Sequence, residues 1–199
     1  MGEDGITAEL DALGIPWVGG KDERFEPLGM QDLSAIPKEA DQDVAAVVVG
    51  FDSRFCYRKL AMAHYHLTQR SQKGNNAHGK DADGKTDQVS FIASNADATY
   101  PFGEHFFPGT GAFVAALEKC TGRAPEVIGK PNRLMLDTLL KAYHLDPKRS
   151  LMVGDRLDTD IAFGKQGGLH TVLVLTGNDR FCFLFSLSAY SLAVPTVWA

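Results

Sequence analysis

Short apolar runs that alternate with helix-forming stretches set the tightest limit on how this 199-residue chain can fold. Val44 to Val49 is continuous and rich in β-branched residues, the pattern of a buried strand in a parallel sheet. Val89 to Ser94, Val127-Ile128, Ser150 to Val153 and Thr171 to Leu175 repeat it in shorter form. Between them the apolar spacing changes to a helical one. Tyr57, Leu60, Ala61, His64 and Leu67 share one helical face, as do Phe113, Ala116, Leu117 and Cys120. Asn132 is placed to cap a helix burying Leu136, Leu139, Leu140 and Tyr143, and Asp160 to Gln166 reads as a further helix. Strands alternating with short helices specify an α/β fold around a largely parallel sheet.

The regions outside this alternation read differently. Residues 1–40 carry breakers at Gly14, Pro16, Gly19, Gly20, Pro27, Gly29 and Pro37. Residues 71–87 are polar throughout and read as an exposed insertion between helix and strand. The net charge of −5, without a Lys/Arg cluster, gives no electrostatic basis for binding nucleic acid. Cys56, Cys120 and Cys182 form no CxxC pair, which fits reduced thiols. The acidic N-terminus lacks the basic and apolar regions of a signal peptide, so a cytoplasmic location is expected.

The chemistry concentrates in two loops. In Leu151 to Ile161 an apolar strand ends in Gly154-Asp155, and Asp158 and Asp160 follow on the way into a helix. Carboxylates gathered at the carboxyl end of a parallel strand repel unless a cation or protonation neutralises them, and a hard divalent ion such as Mg²⁺ fits oxygen donors. The alternative is that Asp158 and Asp160 cap the helix and favour its positive end. Gly129-Lys130-Pro131 also follows a short apolar strand, where a lysine can place a point charge on a phosphate. A loop lysine alone is ordinarily just solvated; the two loops together point to a phosphate-plus-magnesium site.

Gly129-Lys130-Pro131 with Val153-Gly154-Asp155-Arg156-Leu157-Asp158-Thr159-Asp160-Ile161 resembles the third and fourth motifs of haloacid-dehalogenase-type phosphatases. The resemblance is greatest to the 4-nitrophenylphosphatase and phosphoglycolate phosphatase group, which carries a large α/β cap of the C2 type. It extends to Phe91 through Asp97 with Pro101, to Pro108-Gly109-Thr110-Gly111, and to Gly167-Gly168 through Gly177. It implies the C-terminal half of a Rossmann-like parallel core, with a cap over 1–107, core over 108–178 and a divergent apolar tail over 179–199. It also implies that Asp155 coordinates Mg²⁺ directly and that Asp160 supports it directly or through water. Lys130 would neutralise charge on phosphate and phosphoryl acceptor, and Asn95 and Asp97 would face substrate from the cap. Asn95 also reads as an ordinary turn residue, and Tyr100 as either a substrate contact or a buried aromatic.

The family reaction starts from an Asp-x-Asp-Gly motif on a buried strand. Asp81-Ala82-Asp83-Gly84 has those letters but follows Gly74 to Lys80, which supplies no apolar strand to hold a nucleophile. The chain is therefore expected to belong to a Mg²⁺-dependent phosphomonoester hydrolase family while lacking the nucleophile motif, and so to be inactive or impaired by itself. The alternative is a non-catalytic module that binds phosphate or metal, or pairs through its cap, the capped family often forming homodimers. A small phosphorylated metabolite is the expected ligand. Phe181 to Ala199 carries no charge, but Pro195, four Ser/Thr and the lack of basic flanks beyond Arg180 argue against a membrane anchor. An alternative C-terminal sequence, or packing on the sheet, are the other readings of that tail.

Overall fold

The structure is a computed structural model, and it describes residues 1–20, 36, 44–73 and 88–174, with the side chains of 69–73 left aside. The segment 81–84, most of the expected insertion and the apolar tail lie outside the described residues. Two compact units make up the chain, Met1–Val127 and Ile128–Ala199.

The first unit is built on a parallel sheet of β1 (Ala46–Val49), β2 (Ser90–Ala93) and β5 (Glu126–Val127), in the order β1-β2-β5. Register pairs Val47 with Phe91 and Val49 with Ala93, so these four residues share one buried face. Helices α2 (Tyr57–Lys73) and α3 (Thr110–Thr121) close that face with Ala63, Leu67, Val114 and Leu117. Helix α3 thus belongs to the first unit by packing, whereas motif order groups 108–178 together; the two divisions follow different criteria.

The parallel α/β arrangement agrees with the sequence reading, but the helix faces shift. In α2 the buried stripe runs through Lys59, Ala63 and Leu67, with Arg58 and Met62 beside it, and Tyr57 is 64% exposed. The rotation follows from Lys59, whose ammonium is drawn inward to Asp52. In α3 Val114 replaces Ala116 and Cys120 at the core. Residues 71–73, expected in the insertion, continue α2.

Two elements were not foreseen. Helix α1 (Asp4–Ala12) forms ahead of the first breaker, Gly14. A hairpin of β3 (Thr99–Phe102) and β4 (His105–Pro108) turns at Gly103, whose φ of 62° is one that glycine tolerates without steric penalty. Its strands alternate poorly in hydropathy, which hid it from a periodicity search. Tyr100 packs edge-on against Phe51 at a centroid distance of 4.9 Å, which supports the packing reading of that ring.

The second unit pairs β6 (Leu151–Gly154) with β7 (His170–Leu173) in parallel. Helix α4 (Arg133–Ala142) begins at Asn132, whose side chain accepts from the Leu134 amide as expected. Only Leu136 of its anticipated face is fully buried; Leu139 and Tyr143 are exposed. The expected helix over 160–166 divides into a π-type turn (Leu157–Ile161) and α5 (Ala162–Gln166). A side chain at Gly164 would strike Thr171 and Met152, so glycine there lets α5 lie directly on the two strands. Among the described residues no helix is long and apolar enough to cross a membrane.

Candidate active site

Strand β6 delivers Gly154 and Asp155 to its carboxyl end, the edge where ligands collect in open α/β sheets. The chain then turns through Leu157–Ile161 and returns Asp160 to the same point. Asp160 Oδ2 accepts from the backbone amides of Asp155 (3.1 Å) and Arg156 (3.3 Å), and Oδ1 accepts from Lys130 Nζ at 2.6 Å. The return requires Gly154: a Cβ there would lie on the Asp160 carboxylate.

Asp160 is 5% exposed. Burial alone pushes its carboxyl pKa up. The Lys130 hydrogen bond and charge, with the Arg156 and Asp155 amides, outweigh burial and hold it below the ordinary carboxylate value. Folding therefore binds fewer protons at Asp160 than the unfolded chain does. The resulting stabilisation is present above the unfolded value of ~3.9 and is lost as pH falls through the lower folded value. Urea midpoints of the whole chain are expected to drop across that acid range. Asp160→Asn should lower the midpoint at neutral pH and flatten the acid limb; an unchanged limb would show that Asp160 is not the titrating group.

These bonds argue against the helix-cap reading of the acidic loop. Asp160 binds amides that precede it, so it ties the strand end together and does not cap the helix that follows. Asp158 is exposed and pairs with Arg156. Asp155 is half-buried and its carboxylate has no protein partner among the described residues. It is a hard oxygen donor left available beside Asp160, whose two oxygens already accept three hydrogen bonds. No group of three metal-ligating side chains occurs among the described residues. Asp155 thus offers one carboxylate toward a hard divalent cation, whose remaining ligands would come from elsewhere.

On the first unit, the carboxyl end of β2 carries Asn95 and Asp97. The Asn95 side chain accepts from the Asp97 amide at 3.1 Å and donates to Ser94 Oγ at 3.3 Å. The Asp97 and Ala98 carbonyls accept from the amides of Gly111 (2.9 Å) and Gly109 (2.8 Å). A Cβ on either glycine would overlap the backbone of Ala96 or Asp97, which explains Pro108-Gly109-Thr110-Gly111 as a seat for this loop. Lys130, Asp155 and Asp160 are thus brought together on one unit, and Asn95 and Asp97 on the other.

Sequence reasoning missed a second pairing. At the end of β1, Asp52 accepts from Lys59 Nζ with both oxygens (2.9 and 2.8 Å) and from the Gly2 and Arg54 amides. The two side chains are 2% and 4% exposed. The signal was legible: Gly50-Phe51-Asp52 follows an apolar strand much as Gly154-Asp155 does.

Residues 127–182 match the HAD-hydrolase-like family model. The chain is 38% identical over 178 residues to human glycerol-3-phosphate phosphatase, covering 89% of this chain and 50% of that protein. It is 39% identical over 190 residues to the chloroplastic phosphoglycolate phosphatase 1A of Arabidopsis thaliana, covering 94% and 47%. The solved p-nitrophenyl phosphatase of Archaeoglobus fulgidus superposes with a TM-score of 0.54 at 32% identity, over 67% of this chain and 45% of that one. The chain spans about half the length of the curated relatives it matches. With its parallel α/β fold and the Lys130–Asp160 strand end, the chain is similar to haloacid-dehalogenase-like hydrolases, with residues 127–182 carrying the family match, and the curated relatives it resembles are named as phosphatases.

Proposed function

We propose that this chain supplies the cap and the lysine and metal side of a Mg²⁺-dependent phosphomonoester hydrolase acting on a small phosphorylated metabolite in the cytoplasm. The observation that carries the reading is the Lys130–Asp160 contact at the carboxyl end of β6, beside the Asp155 carboxylate, which has no partner among the described residues. Lys130 is held by Asp160 yet remains 41% exposed, so its charge can reach a phosphate oxygen. Asp155 would hold the metal, and a bound Mg²⁺ would supply charge neutralisation at a phosphoryl oxygen. Asp160 fixes the lysine and the Asp155 amide in place, which limits reorganisation when phosphate arrives.

On this reading neither Asp52, which is buried and bonded to Lys59 and two amides, nor Asp81, which follows no apolar run in the sequence, is the phosphoryl-accepting aspartate. The chain by itself is expected to bind inorganic phosphate in the presence of Mg²⁺, with Lys130→Ala abolishing the calorimetric signal, and to show no turnover of 4-nitrophenyl phosphate. Binding of neither ligand would remove the reading. Mg²⁺-dependent hydrolysis lost in Asp155→Asn would show that a nucleophile is present after all.

A non-catalytic role in pairing through the cap is favoured by one observation, the exposure of Phe102, Phe106 and Phe107 on the β3–β4 hairpin. On this reading two copies associate, and sedimentation should show a concentration-dependent dimer that Phe102→Ser with Phe106→Ser dissolves. A monomer at every concentration would exclude it.

A further inference from the structure

The outer edge of β1 is partly covered by Met1. Its amino group donates to the Val48 carbonyl at 3.0 Å, and its carbonyl accepts from the Gly50 amide at 3.1 Å. Those two bonds are one repeat of a parallel ladder, with Met1 opposite Val49. The ladder stops there. On the inner side the Ala45 and Val49 carbonyls accept from the Ser90 and Ser94 amides, so alternation turns the Ala46 N–H and C=O and the Val48 N–H outward. Among the described residues these outward groups have no partner. Beside them a cavity of about 80 Å³ runs on past Met1, between Val44, Ala46 and Val48 along the edge and Met62 and Ala63 of α2. Lys59 also lines it, but its ammonium is bound to Asp52. Burial holds the Met1 ammonium below its usual pKa, against the pull of Asp52 and with the repulsion of Lys59. A peptide N–H at that point would give Val48 the same bond with no charge to desolvate.

We propose that this edge takes one further parallel strand, an extended apolar segment that runs directly into Met1 and seats a side chain from two residues ahead of it in the cavity. Side chains alternate along a strand, so that residue shares the face of Met1, which packs against the core of Val47, Val49 and Leu67. Its N–H would donate to the Ala46 carbonyl and its carbonyl would accept from the Val48 N–H, which repeats the bonds Met1 already makes. An edge with such groups open is a template for strand addition, with main-chain bonds giving affinity and alternate side chains giving selectivity. The inference is independent of the phosphatase reading.

Whole chains carrying four added residues ahead of Met1 test it, read by amide hydrogen exchange, the Met62 methyl shift and urea titration. A Val-Thr-Val-Thr extension turns both valines to the cavity face. It should slow exchange of the Ala46 and Val48 amides by about tenfold or more relative to the 199-residue chain, shift the Met62 methyl and raise the urea midpoint. Val-Thr-Gly-Thr removes the side chain aimed at the cavity and should lose the Met62 shift and most of the midpoint gain. Gly-Ser-Gly-Ser should leave all three readouts as they are in the chain without an extension. Unchanged exchange at Ala46 and Val48 with Val-Thr-Val-Thr overturns the proposal. Equal protection by Gly-Ser-Gly-Ser does so too, because the edge would then accept any chain, and an equal Met62 shift with Val-Thr-Gly-Thr removes the cavity's occupant. Protection of the same amides that grows with concentration in the chain without an extension would place a second copy on the edge and defeat the proposal.

Discussion

Replacing Gly154 with alanine is expected to destabilise the chain by about 3 kcal/mol, the upper end of the range for forcing atoms into a filled site. The added methyl would lie on Cβ, Cγ and Oδ2 of Asp160. Asp160 cannot swing away freely, because it is buried and carries two backbone amides and the Lys130 ammonium. Any relief must break those bonds or move the end of β6. The loss of the Lys130 anchor should appear as weaker phosphate binding alongside the lower urea midpoint. Gly5→Ala is the control: nothing lies within 4 Å of its added Cβ, and alanine favours helix α1. A Gly154→Ala chain as stable as the parent would mean that the close return of Asp160 is not what the glycine serves.

The Asp52–Lys59 pair should give the other large effect, and an asymmetric one. Removing one partner from a buried ion pair leaves an uncompensated charge, at a cost of about 3–5 kcal/mol. Asp52→Ala strands the Lys59 ammonium, whose bonds among the described residues all go to Asp52. Lys59→Met leaves Asp52 with the Gly2 and Arg54 amides, so it should cost less. The double variant Asp52→Ala with Lys59→Met should fall well short of the sum of the single changes, because neither charge is then left alone. Equal single effects that simply add would show that the two groups act independently. Denaturant titration of the four chains reads all of this directly.

How much of this was legible beforehand depended on the range of the interaction. Asn132 could be named as a cap because capping is settled within three residues. The parallel strands could be named because residues such as Val47 and Val49 must be apolar wherever the sheet is buried. The inward face of α2 could not, since it turns on a lysine drawn to a carboxylate in the loop that precedes the helix, which apolar periodicity does not register. The exposed Tyr57 shows the error that apolar periodicity makes when an ion pair overrides it.

The candidate site divides the same way. Gly154-Asp155 and Gly129-Lys130-Pro131 were visible as strand-end motifs, and with them the family, because these residue types are tied to a local strand-to-loop geometry. The roles within the motif were not. Sequence spacing allowed Asp160 to support a metal or to cap a helix, since each needs only a carboxylate near a strand end. What folding added is a lysine partner, because the turn at Leu157–Ile161 brings Asp160 back over a residue without a Cβ and within 2.6 Å of Lys130. Likewise, the letters Asn95 and Asp97 marked a loop at the end of a strand, and the Asn95 side chain is engaged by local bonds, whereas the seating of that loop on the Gly109 and Gly111 amides is decided only by the tertiary structure. Composition and periodicity determine which residues must leave water and which chain segments can be strands or helices. Directional bonds between segments distant in sequence determine what the polar residues do, and those exist only once the chain has folded.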